Sequence, residues 1–87
     1  MVYHVTMRIE VLCFAAARDA LGAPRLEIEL GDGATVNDVA AALVERSPAL
    51  AALAPRLRFA VNEEFASPSR VLRDRDTLAL VPPVSGG

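Results

Sequence analysis

The sequence predicts an α+β domain, a mixed sheet of about five strands packed on one main helix. Three observations carry that expectation. Arg25–Leu30 alternates charged and apolar residues without a break, the pattern of a half-buried antiparallel strand. Val36, Val39, Ala40, Leu43 and Val44 recur at helical spacing behind a Thr35 that can cap them. Short alternating stretches stand on both sides of that helix, one near each end of the chain.

Met7–Phe14 reads as the first strand, with Met7, Ile9, Val11 and Cys13 on one face and Arg8, Glu10, Leu12 and Phe14 on the other. Ala15–Leu21 is a short helix closed by Gly22 and Pro24. In the second strand, Arg25–Leu30, the residues Leu26, Ile28 and Leu30 turn inward, and Gly31-Asp32-Gly33 makes a turn. The main helix follows, with Asp38 three residues after Thr35 where a capping-box acid belongs. Pro48 ends it by pushing Ser47 out of helical geometry, and Ala49–Ala54 adds one more turn before Pro55.

Leu57–Asn62 is the third strand, Leu57, Phe59 and Val61 sharing a face. Glu63–Ala66 continues as a turn and a short edge strand. Arg73–Asp76 is a charged, solvated turn and Thr77–Val81 the last strand. Pro82 and Pro83 cannot donate to a sheet and stiffen the exit into Val84-Ser85-Gly86-Gly87. The expected organisation is one domain over 1–87, with 1–6 an extension or residues ahead of the native start, and 82–87 a protruding, flexible tail.

Composition narrows the function. The chain is 53% hydrophobic over 87 residues, enough for a real core, and without tryptophan that core falls to Val, Leu, Ile and Ala. A formal charge of −2 leaves no basic footprint for nucleic acid. The single cysteine suits a reducing compartment, no export signal or span is visible, and a cytoplasmic location is expected. All nine basic residues are arginine, which fits a GC-rich gene given the abundance of Ala and Pro better than the alternative, a lysine-free surface that cannot be conjugated to itself.

Catalytic constellations are missing. His4 is the only histidine and lies in the N-terminal extension, so no histidine-based triad or metal cluster is expected, nor a permanently bound cofactor. Cys13, on the inward face of its strand, reads as a small buried hydrophobe. The tail offers more. Gly86 and Gly87 present a carboxylate with no Cβ on either residue, able to thread a narrow channel. Such a carboxylate can be adenylated by ATP and then accept sulfur or an amine in acyl transfer. A frayed terminus that tolerates glycine fits the same residues, and on the tail alone it is the favoured of the two readings.

The wider pattern separates them. Val11-Leu12-Cys13-Phe14-Ala15-Ala16-Ala17-Arg18-Asp19, Gly33-Ala34-Thr35-Val36, Ala60-Val61-Asn62 and the ending Pro82-Pro83-Val84-Ser85-Gly86-Gly87 together resemble the small, sulfur-carrying subunits of molybdopterin synthases. The resemblance runs in register from about Met7 to Gly87, and the ending is its most specific part. It implies the β-grasp, ubiquitin-like fold, with the last strand between the first and the third.

That order would gather Leu12, Phe14, Ala60, Phe65, Ala79 and Val81 into an apolar patch on the open sheet face, beside the root of the tail. The patch is either a docking surface or a small second cluster covered by the Phe65 loop. The resemblance further implies a carrier that is no enzyme alone. Gly87 would be adenylated, with ATP, by a ubiquitin-activating-type adenylyltransferase, and a sulfur donor would turn it into a thiocarboxylate. The tail, Pro82 to Gly86, would thread into the large, catalytic subunit of a heterotetramer, where the sulfur passes to cyclic pyranopterin monophosphate.

Two departures are visible. Asp74-Arg75-Asp76 stands where the family often has Asp-Gly-Asp, and Cys13 where it often has a hydrophobic or aromatic residue. The alternatives are a carrier for thiamine or another thiolation pathway, a ubiquitin-like modifier joined to lysines through Gly87, and a structural module that ignores its tail.

Overall fold

The computed structural model describes residues 6–83. Its elements are β1 (Thr6–Cys13), α1 (Ala15–Leu21), β2 (Arg25–Gly31), α2 (Val36–Arg46), α3 (Pro48–Leu53), a 3-10 turn (Ala54–Arg56), β3 (Arg58–Val61), β4 (Glu64–Ala66) and β5 (Thr77–Val81). The strands form one sheet in the order β2-β1-β5-β3-β4. Only β1 and β5 are parallel, so the chain's two outermost strands in sequence lie side by side at the centre of the sheet. This is the β-grasp arrangement, with the last strand between the first and the third.

One face of that sheet is the core. Met7, Ile9, Val11 and Cys13 of β1, Phe59 and Val61 of β3, and Leu78 and Leu80 of β5 are buried against Ala17, Val36, Val39, Leu43 and Leu50 of the helices. Each such aliphatic side chain contributes about 1.5–3 kcal/mol by leaving water. Leu26, Ile28 and Leu30 of the edge strand β2 are only half-buried, packed at the rim of the same cluster.

Local chemistry fixes the helix ends. Thr35 and Asp38 form a reciprocal capping box: the Thr35 N–H donates to Asp38 Oδ2 at 2.8 Å, and the Asp38 N–H to Thr35 Oγ1 at 3.3 Å. Pro48 does end α2, with Ser47 held extended at φ −139°, but it also occupies the first turn of α3. Proline suits that position because its missing N–H would have no partner there. The single turn expected over Ala49–Ala54 is therefore a six-residue helix followed by the 3-10 turn through Pro55. Ser47 serves both sides of the break: its hydroxyl accepts from the Leu50 N–H at 3.3 Å and donates to the Ala20 carbonyl at 2.7 Å.

Residues 67–72, with no periodic signal, cross back over the start of α2. The Val36 N–H donates to the Arg70 carbonyl and the Leu72 N–H to the Ala34 carbonyl, each at 2.9 Å, and Leu72 is buried. The Arg73–Asp76 turn is more than a solvated charge run. Asp74 Oδ1 accepts from the Arg8 N–H, and Asp76 Oδ2 from the Arg73 N–H, both at 2.8 Å. Arg75, where a glycine was expected from the family pattern, holds the left-handed conformation at φ 69°.

Candidate functional site

The strand registers place the outward residues on shared rungs. Leu12 pairs with Arg25 of β2 on one side and with Ala79 of β5 on the other. Ala79 pairs with Ala60 of β3, and Ala60 with Phe65 of β4. Cross-strand partners point to the same face, so Arg25, Leu12, Ala79, Ala60 and Phe65 form one row across all five strands. The next rung toward the chain's end pairs Val81 with Arg58.

The six apolar residues expected together are thus on the open face, with Phe14 following β1 as the extended residue that caps α1. Phe14 is 49% exposed and Phe65 71%, so among the described residues nothing covers the patch. The covered second cluster is excluded on that ground. Leu12, Phe14, Ala60 and Ala79 line a shallow groove of ≈ 500 Å³ whose far end is polar, formed by Asn62, Glu63 and Thr77.

At the tail root, Pro82 is buried and Pro83 exposed, so Pro82 belongs to the packed domain rather than to a protruding tail. Lacking an N–H, it can be buried at a strand end without stranding a donor. Val84, Ser85, Gly86 and Gly87, like His4, lie outside the described residues.

Asn62 organises the polar end. Its Oδ1 accepts from the Thr77 N–H at 3.0 Å, its Nδ2 donates to Asp76 Oδ1 at 2.9 Å, and its own N–H donates to the Thr77 carbonyl at 2.8 Å. Asn62 and Glu63 are the two central residues of the β3–β4 hairpin, both with positive φ (49° and 72°), the signature of a type I′ turn. The chain thereby clamps the start of β5 to the hairpin and sets the register of the whole row. An Asn opening a two-residue hairpin was a readable signal for this; the clamp onto β5 had none.

Among the described residues no group of three or more His, Cys, Asp or Glu could hold a metal ion. Cys13 is 3% exposed, and burial raises its thiol above the ordinary value, which keeps it a neutral, unreactive core group. No helix among them is long and apolar enough to cross a membrane.

A family model described as the ThiS family matches residues 11–87, from the middle of β1 through the end of the tail. The chain belongs to the ThiS family. Among its relatives is a protein of Chlamydomonas reinhardtii named molybdopterin synthase sulfur carrier subunit, 40% identical over 83 residues, covering 93% of this chain and 100% of the relative. SAMP1 from Haloferax volcanii, a small archaeal modifier protein, superimposes with a TM-score of 0.82 at 31% identity, covering 92% of this chain and 99% of that one. A ubiquitin from Caldiarchaeum subterraneum superimposes at 0.62 over 95% of this chain and 100% of its own; at 19% identity it shares the fold. In this ThiS-family chain the open apolar row lies on the sheet face opposite the one that builds the core.

Proposed function

We propose that this ThiS-family chain is the sulfur carrier of molybdopterin synthesis, working through the carboxylate of Gly87. The carboxylate attacks the α-phosphate of ATP on a ubiquitin-activating-type adenylyltransferase, releasing pyrophosphate and leaving an acyl adenylate. A sulfur donor displaces AMP to give the thiocarboxylate. The tail then enters the large subunit, where the thiocarboxylate gives its sulfur to cyclic pyranopterin monophosphate and reverts to a carboxylate. Two sulfurs per product require two charged carriers.

One structural observation supports the reading above the others. The uncovered apolar row adjoins Val81, the last strand residue before the tail, so a partner seated on the row has the tail at its edge. The catalytic side chains then belong to the partner. The test is an intact-mass spectrum of the protein from its own host. A fraction heavier by one oxygen-to-sulfur exchange at Gly87 supports the carrier. An unmodified mass after incubation with the activating enzyme, ATP and a sulfur source overturns it.

A second reading, a protein modifier, is favoured by the likeness to SAMP1. It requires lysine-linked adducts in cells that vanish when Gly87 is deleted, which a carrier alone does not produce.

A further inference from the structure

The open face is divided by charge as well as by polarity. On the tail side of the apolar row, Arg58 stands directly across from Val81. It is exposed and pairs with no carboxylate among the described residues, whose ion pairs are Arg25–Glu10 at 3.4 Å and Arg75–Asp74 at 3.9 Å. On the opposite side the next rung sets Glu10 directly against Glu27, with Glu29 one rung further along β2, where it faces Arg8, and Glu63 at the far end of the groove. Two carboxylates facing each other across a strand pair cost the isolated domain stability. Arg25 offsets one of them, and Glu27 has no cation paired with it among the described residues.

We propose that this polarity sets the direction in which the partner subunit docks. This inference rests on the carrier reading above. The partner surface that fits is an apolar patch with a carboxylate at the side where the tail enters, facing Arg58, and arginine or lysine at the other side, facing Glu10 and Glu27. An apolar row of two alanines between larger side chains has little directional preference of its own. Opposite charges at its two sides supply one, because the reversed orientation sets like charge against like.

The experiment compares binding of the large subunit to the full chain and to Arg58→Glu, Glu27→Arg and Leu12→Arg, at low and at raised salt. Arg58→Glu makes the chain more acidic and Glu27→Arg more basic, so attraction to net charge moves the two affinities in opposite directions. The polarity proposed here weakens both, about tenfold at low salt and less as salt screens the pairs. Opposite shifts, or two unchanged affinities beside a Leu12→Arg that no longer binds, overturn the charge inference and leave the docking face intact. A Leu12→Arg chain that still binds fully overturns the docking face itself. Arg58, Glu27 and Leu12 all point away from the core, so each variant should keep its cooperative melt.

Discussion

Leu12 and Phe65 stand on one rung of the sheet, three strands apart, with Ala79 and Ala60 the only residues between them. The groove beside Leu12 and Phe14 is therefore a trough whose floor carries two methyl groups.

A trough receives a ridge, and filling it should block docking without touching the fold. Ala60→Leu is expected to lower affinity for the large subunit at least tenfold. Its side chain grows into open space, so the unfolding midpoint should move little. Titration calorimetry and a thermal melt check the two halves. Phe14→Arg should weaken binding in the same way, through lost apolar area and an unpaired charge.

Arg75 carries a cost that glycine would not. A side chain at φ 69° crowds the following carbonyl, an expense of about 1–2 kcal/mol, set against glycine's larger loss of freedom on folding. Arg75→Gly should therefore stabilise the domain by up to about 1 kcal/mol in urea unfolding. Its side chain is exposed and its ion pair with Asp74 is a loose surface contact, so little is lost in exchange.

Removing the hydroxyl at Ser47 should be costly. Ser47→Ala strands the Ala20 carbonyl and leaves the Leu50 N–H only its 3.0 Å bond to the Ser47 carbonyl, in a site where the residue is only 7% exposed. A loss of about 1–3 kcal/mol is expected, read from the urea midpoint at unchanged slope. Ser47→Thr keeps the oxygen and should recover part of it.

Cys13 gives the fold a dependence on alkaline pH. Burial raises its thiol value in the folded state, so the folded chain prefers the neutral form. The associated stability is fully present below the unfolded thiol value and is lost as pH rises through the folded one. Comparing unfolding midpoints at neutral and alkaline pH, Cys13→Ala should lose less than the parent. Iodoacetamide should label Cys13 only as fast as the domain opens.

Where periodicity was strong, the sequence was a reliable guide. The capping box at Thr35, the alternation of β2 and the outward set of Leu12, Ala60, Ala79 and Val81 follow from spacing alone once the strand order is known. The strand order itself came from resemblance, since nothing local says that β5 inserts between β1 and β3. Residues 67–72 were illegible because their order comes from two backbone hydrogen bonds to the 34–36 segment and one buried leucine, which leave no repeating pattern. The Asp74 and Asp76 carboxylates looked solvated for a similar reason. Each accepts from a backbone donor, for Asp74 one that is 66 residues away in sequence, and Asp76 also accepts from the Asn62 side chain. Arg58 was in plain sight, two residues before Ala60, but a lone arginine on a strand is unremarked until its neighbour proves to be the root of the tail.

The central position of β5 also bears on how the protein is made. Without it β2-β1 and β3-β4 are two separate hairpins, each too small to be stable in water. A chain emerging from the ribosome cannot close its sheet until Thr77–Val81 is free. A truncated product would lack the strand that bears Ala79 and Val81, and with it the assembled row. Folding thus screens for synthesis through Val81, so that copies stopped before it cannot occupy a partner they are unable to serve.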